Sequence, residues 1–362
     1  MSAAPLASAV TPLAEARGLE VAFRRRGSSV QALDGVDLEW RQNEVLGVVG
    51  ESGCGKTTLA RTLLGLEQPT GGELRFEGAT LDRSGVRTLR RKVQMVFQDP
   101  YQSLNPRMRV SELVQEPLRM QRMGRAERVL RAATALEDAG LGPAERFWGR
   151  YPHELSGGQR QRVAIASALA PEPAGLMCDE PVSALDVSVR AQVLHLLLGL
   201  RRTRGLALLL ITHDIGLAWA LCDRVAVMYL GRVIEIGHAA DVLERPQHPY
   251  TQALIAVAPS TRPRAPGQAA VLEGEVPDAS RLPSGCRFHP RCPRARERCA
   301  DEDVALRPSG APGQTAACWY PGFEPRSGLA GERRPADEGP ERRRGPFVLD
   351  RRPSEPDVHA EL

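Results

Sequence analysis

The stretch Gly50-Glu51-Ser52-Gly53-Cys54-Gly55-Lys56-Thr57-Thr58 restricts the possible folds more than any other part of the chain. It fits the pattern G-x-x-x-x-G-K-[ST], and its flanks suit that pattern. Val45-Leu46-Gly47-Val48-Val49 is an apolar run of strand length, and Leu59-Ala60-Arg61-Thr62-Leu63-Leu64 reads as an amphipathic helix. Strand, glycine-rich turn and helix in this order make a cradle for phosphate. Glycines let successive backbone N–H groups turn inward, and the helix start adds partial positive charge. Lys56 can reach the β- and γ-phosphates, and Thr57 can set its hydroxyl on Mg²⁺. Gly50, Ser52, Gly53, Cys54, Gly55, Lys56, Thr57 and Thr58 are therefore expected to surround a nucleoside triphosphate. The bland alternative, a glycine-rich strand-to-helix turn that binds nothing, does not explain why the Lys-Thr pair follows.

The bulk numbers set limits. At 362 residues the chain can hold two domains, or one large domain with appendages. Its 48 basic and 44 acidic residues leave a net charge of +4, which gives no argument for nucleic acid as a partner. No run of about 18 apolar residues is present to span a bilayer. The first 15 residues lack the basic-then-apolar order of a signal peptide. A reducing compartment is expected, so the seven cysteines are not read as disulfides.

Residues 1–15, rich in Ala, Pro and Ser, read as a loose tail. Short β-prone pieces follow at 19–23 and 36–40, and further strands are expected over 66–98, the last being Val93-Gln94-Met95-Val96-Phe97. From 110 to 139 the pattern is helical and charged, which suggests an all-helical insert spanning about residues 100–170. Helices are expected at 160–170 and 187–202, and strands at 176–178 and 206–211. Alternating strands and helices around a phosphate loop predict an α/β core with a mainly parallel sheet, preceded by a β-rich part. Regular structure is expected to fade after 258, with a Pro/Gly-rich connector at 259–285 and a disordered tail at 321–362.

Four later stretches carry chemistry. Leu176-Met177-Cys178-Asp179-Glu180 has the form of an apolar strand delivering a carboxylate to Mg²⁺. Asp179 would hold the metal, and Glu180 would polarise the attacking water as general base. Leu155-Ser156-Gly157-Gly158-Gln159 opens a helix with a hydroxyl and two glycine N–H groups, a second anion-binding terminus. One chain already has one phosphate site, so this second one is expected to cap the γ-phosphate held by another protomer.

With Gln98 after a strand, Ser183-Ala184-Leu185-Asp186, and His213 after Ile211-Thr212, the motif order resembles that of an ATP-binding-cassette (ABC) ATPase over about residues 17–258. The resemblance implies Walker A at 50–58, Walker B at 176–180 and the signature at 155–159. It implies that Gln98 senses Mg²⁺ and water and faces the membrane partner, that Asp186 belongs to the D-loop, and that His213 contacts the γ-phosphate. Lys56, Gln98, Glu180 and His213 are then the catalytic set, with Thr57, Gln98 and Asp179 around Mg²⁺. Phe23 is the candidate for stacking on adenine, against the alternative of a core strand residue. The implied domain runs over 16–258, with an extension at 259–320.

Three stretches resemble the ATPases of dipeptide, oligopeptide and nickel importers. They are Phe97-Gln98-Asp99-Pro100-Tyr101-Gln102-Ser103-Leu104-Asn105-Pro106, the run 180–194, and His248-Pro249-Tyr250-Thr251-Gln252-Ala253-Leu254. The form around Tyr101 and Val182-Ser183 is most similar to the second ATPase of peptide permeases. Expected partners are two transmembrane permease subunits, a sister ATPase or a second copy of the chain, and indirectly a solute-binding protein. The expected location is the cytoplasmic face of a bacterial or archaeal membrane. The chain departs from the family pattern at Ser167, where Arg is common, and at Ala170-Pro171-Glu172-Pro173.

Cys286, Cys292, Cys299 and Cys318 are spaced C-x5-C-x6-C-x18-C. Four thiolates in a reducing compartment suggest a metal. The pattern resembles the extension that holds a [4Fe–4S] cluster in some peptide-importer ATPases. Zinc suits a Cys₄ set as well, although the tight C-x-x-C knuckles are missing, and four unliganded thiols are the third reading. Rivals to the importer reading are a soluble ABC ATPase acting on nucleic acid or the ribosome, and an exporter ATPase. A single cassette without sustained heptads argues against the first, and the cysteine-bearing extension against the second.

Overall fold

Residues 11–25, 28–98, 103–183, 185–258, 275 and 277–322 are described by the computed structural model. Of the connector expected at 259–285, residues 259–274 and 276 lie outside them, as do 323–362 of the tail expected at 321–362, the first ten residues, Arg26-Gly27, Asp99-Pro100-Tyr101-Gln102 and Ala184. Two long strands open the described chain, β1 (Ala14–Arg25) and β2 (Ser28–Trp40). They pair antiparallel and carry β4 (Gly71–Phe76) and β5 (Ala79–Thr80) in a four-stranded sheet ordered β2-β1-β4-β5. Leu13 is fully buried and β1 starts at Ala14, so order begins inside the segment read from sequence as tail.

β3 (Val45–Val49) ends in the glycine-rich turn, and α1 (Lys56–Leu63) leaves it. The stretch read as strands over 66–98 also contains a helix, α2 (Arg83–Lys92), ahead of β6 (Val93–Val96). Its signal lies in its ends. Asp82 caps it by accepting from the Gly85 N–H at 2.6 Å, and Arg90, Arg91 and Lys92 close its last turn, where cations suit the helix dipole. Leu89 is its one buried residue, so no apolar stripe announces it.

Helices then fill the insert: α3 (Val110–Met120), α4 (Arg125–Asp138), α5 (Glu145–Trp148) and α6 (Gly157–Leu169). α3 packs on α4 and α6. Ser167, the departure from the family pattern, donates from Oγ to the Leu113 carbonyl at 3.1 Å and so ties α6 to α3. β7 (Gly175–Asp179), α7 (Val187–Arg204), β8 (Ala207–Thr212) and α8 (Ile215–Leu221) return the chain to the sheet. β9 (Arg224–Tyr229) and β10 (Arg232–His238) extend it, and α9 (Ala239–Glu244) and α10 (Pro249–Val257) follow.

Regular structure does not end at 258. A short helix, α11 (Glu297–Asp301), and two short strands, β11 (Arg307–Pro308) and β12 (Thr315–Ala316), belong to the extension. β12 pairs with β10 through Glu235↔Ala316 and Ile236↔Thr315, giving an eight-stranded sheet ordered β11-β12-β10-β9-β3-β8-β7-β6. Strands β9, β3, β8, β7 and β6 are parallel, and β10 joins antiparallel.

Every residue of β3, β7 and β8 is buried, because helices cover one face of the sheet and the β1–β2 layer covers the other. Val45, Val49, Leu176, Cys178, Leu208 and Leu210 join the core on one side. Leu46, Val48, Met177, Leu209 and Ile211 join the other, with Trp40. A strand covered on both faces reads as an unbroken apolar run, which is how these strands look in the sequence. Trp40 joins the two sheets, donating its indole N–H to the Leu208 carbonyl at 3.1 Å.

Candidate functional site

The parallel strands set their carboxyl ends along one edge, the place where open α/β sheets bind ligands. β3 delivers the glycine-rich turn there. Gly50 has φ 154° and Gly55 φ 103°, and a Cβ would run into the Met228 carbonyl at the first and the Ala32 carbonyl at the second. Only glycine fits both, so the pattern read in the sequence has a steric basis. Lys56 is buried, and its ammonium donates to the Gly50 carbonyl at 2.9 Å and the Glu51 carbonyl at 2.7 Å. Cys54, also in the loop, is buried with Sγ 3.6 Å from Lys56 Nζ. Thr57, at the start of α1, stands close to Asp179 at the end of β7. Burial pushes the Asp179 carboxyl above its usual range, and the nearby Thr57 hydroxyl opposes that shift.

A second group forms one residue further on. Glu180 has φ 45°, a left-handed backbone that costs a non-glycine residue of order 1 kcal/mol or more. Its N–H is held by the Ile211 carbonyl at 2.9 Å. The turn aims its carboxylate between two partners: Gln98 donates from Nε2 at 2.9 Å, and His213 Nδ1 lies 2.9 Å from the other oxygen. A carboxylate only accepts, so the imidazole carries the proton on Nδ1. The structure thus brings together Lys56, Thr57 and Asp179, and beside them Gln98, Glu180 and His213.

The remaining predicted residues lie apart from these groups. Ser156 caps α6 in a reciprocal box: its Oγ accepts from the Gln159 N–H at 3.3 Å, and Gln159 Oε1 accepts from the Ser156 N–H at 3.0 Å. Gly157 and Gly158 follow as the first residues of that helix. Asp186 precedes α7 without a side-chain cap bond. Phe23 stands exposed on β1, so it is not the core residue of the bland reading. No helix among the described residues is long and apolar enough to cross a membrane.

Sequence reasoning missed what lies behind the loop. Tyr250 of α10 is fully buried, and its hydroxyl accepts from the Glu51 N–H at 2.9 Å. Arg291, on the turn between Cys286 and Cys292, forks onto the Glu51 carboxylate. Tyr229, Tyr250 and Phe288 form an aromatic cluster beneath, with centroids 4.6 Å and 5.4 Å apart. No local pattern points to these residues, since the partners lie about 200 or more positions apart in sequence.

Cys286, Cys292, Cys299 and Cys318 all line one small cavity, with His248, Phe288 and Trp319. Burial pushes the Cys286 and Cys292 thiols up, and the Cys318 thiol to about 11, so these three are protonated at neutral pH. No group of three or more His, Cys, Asp or Glu side chains among the described residues is arranged to hold a metal ion. The expectation of a cluster here gains convergence of four thiols on one cavity, and no ready-made coordination shell.

Two families match the chain. Residues 33–183 match "ABC transporter", and residues 234–299 match "Oligopeptide/dipeptide transporter, C-terminal region". A putative peptide import ATP-binding protein of Brucella ovis is 46% identical over 312 residues, covering 85% of this chain and 98% of the relative. The dipeptide transport ATP-binding protein DppF of Haemophilus influenzae is 43% identical over 320 residues, covering 86% of this chain and 97% of its own. Among solved structures, the ATP-binding cassette MJ0796, a dimer in a post-hydrolysis state bound to ADP and Pi, superposes with a TM-score of 0.57 at 32% identity, covering 62% of this chain and 98% of that one.

The site's underside makes a pH prediction. His248 is 1% exposed, its Nδ1 accepts from the Tyr250 N–H at 3.0 Å, and burial lowers its pKa to about 3. Between that value and the ordinary one, ~6.5, the unfolded chain binds a proton that the folded chain does not. His248 therefore contributes no penalty above about pH 6.5 and a growing one as pH falls, by ~1.4 kcal/mol per unit at most. His248→Asn keeps the capping acceptor and removes the titration. Its melting temperature should fall several degrees less than the parent's between pH 7 and pH 5, measured by scanning calorimetry.

Proposed function

This chain belongs to the ABC transporter ATP-binding proteins, in the branch of peptide-import ATPases, and on that premise we propose that it is the ATP-hydrolysing, energy-coupling subunit of a dipeptide or oligopeptide importer. One observation carries the chemistry: a carboxylate at the end of β7, Glu180, held between Gln98 and His213 beside the phosphate loop. Lys56 would exchange its loop carbonyls for β- and γ-phosphate oxygens, and the loop N–H groups other than that of Glu51, which Tyr250 holds, would line the phosphates. Thr57 and Asp179, close to each other, offer the hard oxygen donors that Mg²⁺ takes, and Gln98, bonded to the neighbouring Glu180, would add a third. When bound, Mg²⁺ neutralises charge building on the transferred phosphoryl group. Glu180 would draw the proton of the attacking water, while Gln98 and His213 fix the direction of its carboxylate. Phe23, exposed on β1, would stack on adenine.

Ser156, Gly157, Gly158 and Gln159 open a helix of 13 residues and are engaged with each other, not with the chain's own phosphate loop. They would cap the γ-phosphate of a second ATPase, with Asp186 at the same junction, so that two chains close around two nucleotides. That partner is a sister ATPase or a second copy. Closure would move the membrane permease subunits on whose cytoplasmic face the chain sits, two of them in the expected assembly, served by a solute-binding protein. A nickel or other small-solute importer is the nearest variant of this reading.

The four cysteines form the second part of the proposal. They line one cavity together with His248 and His289 and form no ready-made shell among the described residues, so a [4Fe–4S] cluster or, with the same thiols, zinc would have to draw them together. Loading a metal displaces thiol protons, so binding would be favoured at higher pH.

Three outcomes are expected. Glu180→Gln should lower ATP turnover at least a hundredfold while ATP affinity changes by less than about threefold, since a general base contributes roughly 10²–10⁴; retained turnover would remove Glu180 from the base role. Affinity purification from native membranes should recover polytopic permease subunits and a second ATPase, and recovery of ribosomes or DNA-bound factors would sink the importer reading. Anaerobically purified protein should contain about four iron and four sulfide per chain for the cluster, or one zinc for the rival. Metal-free protein with full activity rejects both.

A further inference from the structure

The phosphate loop has a support that its own strand and helix do not provide. Glu51, its second residue, is fixed at three points. Its N–H donates to Tyr250, its carbonyl accepts from Lys56, and its carboxylate accepts both arms of Arg291 at 2.9 Å and 3.2 Å. Arg291 is 4% exposed and Glu51 22%, so this is a largely buried, bidentate pair. The same guanidinium lies 3.3 Å from the Tyr229 hydroxyl. One turn earlier, Arg287 donates to the Leu230 carbonyl and pairs with Asp34. The Gly231 N–H in turn donates to the Cys54 carbonyl, the far side of the same loop. The cysteine-bearing turn therefore holds one shoulder of the loop directly, through Arg291, and touches the other only through the Leu230–Gly231 peptide.

The charges make this more than a staple. Glu51 puts a carboxylate into a loop built to receive a polyanion. Left unpaired it would oppose the phosphates, at short range and in a partly buried setting where screening is weak. Resting on the nucleotide site proposed above, we propose that Arg291 is a positioning residue for ATP: it neutralises Glu51 and holds its peptide so that Lys56 and the loop N–H groups keep the phosphate-binding arrangement. The extension thereby sets the affinity of the nucleotide site. Tyr250 supplies the second fixed point.

The arrangement predicts a cycle with a specific sign. In the full chain, purified with its partners, Arg291→Ala should raise the dissociation constant of a fluorescent ATP analogue about tenfold, with kcat at saturating ATP within about twofold. Glu51→Gln alone should shift it less than about threefold. The double variant should bind better than Arg291→Ala, returning to within about threefold of the parent, because the opposing carboxylate is gone. Arg291→Lys keeps the charge without the fork and should fall between. Each variant's melting temperature is measured alongside. Unchanged affinity in Arg291→Ala, or a double variant no better than that single one, overturns the proposal and leaves a purely structural pair. Failure of the parent protein itself to bind the analogue would instead overturn the nucleotide site.

Discussion

The fold is organised around a loop that only its neighbours allow to exist. Left-handed glycines at 50 and 55 place backbone directly against the Met228 and Ala32 carbonyls. One of those neighbours ends β9 and the other lies in β2, and the β9–β10 turn adds a hydrogen bond from Gly231 to Cys54. Two distant segments, β2 and the β9–β10 hairpin, thus converge on nine residues. The parallel sheet must set β3 between β8 and β9 for this to happen, and the β1–β2 layer must fold back over it. Strand order, sheet packing and loop geometry are one constraint seen at three scales.

The same strand order explains why the candidate catalytic groups meet. β6, β7 and β8 run parallel, so Gln98, Asp179, Glu180 and His213 all emerge from carboxyl ends at the edge where β3 opens into the loop. The change from Asp179 to Glu180 is abrupt. Adjacent strand residues point to opposite faces, and a continuing strand would send Glu180 away from the edge. The left-handed turn at Glu180 redirects it toward Gln98 and His213 instead, and the Ile211 carbonyl holds the strained residue in place. Backbone strain here buys the direction of one carboxylate.

How much of this is legible in the chain alone follows from the range of each interaction. The strand-loop-helix around Lys56 and the apolar runs of β7 and β8 are local, and their patterns are carried by consecutive residues. Helix α2 is hidden because a helix with one buried residue, Leu89, has no stripe to read. Strand β12 is two residues long and exists through its pairing with β10, so propensity does not announce it. The meeting of Glu51 with Tyr250 and Arg291 depends on contacts across roughly 200 positions or more, and nothing at either end encodes it locally. Sequence motifs mark the residues facing the nucleotide, whereas the residues behind them become visible in three dimensions.

That distinction bears on what the C-terminal extension is for. The ATP-binding cassette MJ0796 is matched over 98% of its own length by 62% of this chain, so this chain carries substantially more than that cassette. The added segment is nevertheless built inward. Glu235, fully buried, accepts from the Gln247 and His248 N–H groups and from Gln314, which knits β10, α10 and the extension into one hydrogen-bonded hub. Phe288 fills the aromatic cluster under the loop, Arg291 reaches past it to Glu51 of the loop, and Arg287 holds the Leu230 carbonyl beside it. An appendage selected only to bind something outside would have no need of a buried arginine paired with a phosphate-loop carboxylate, because unpaired buried charge is costly and each such contact constrains both partners. The physical cost is accepted where the two parts must act together, and a change in the cysteine-bearing turn would reach Glu51 through a single side chain.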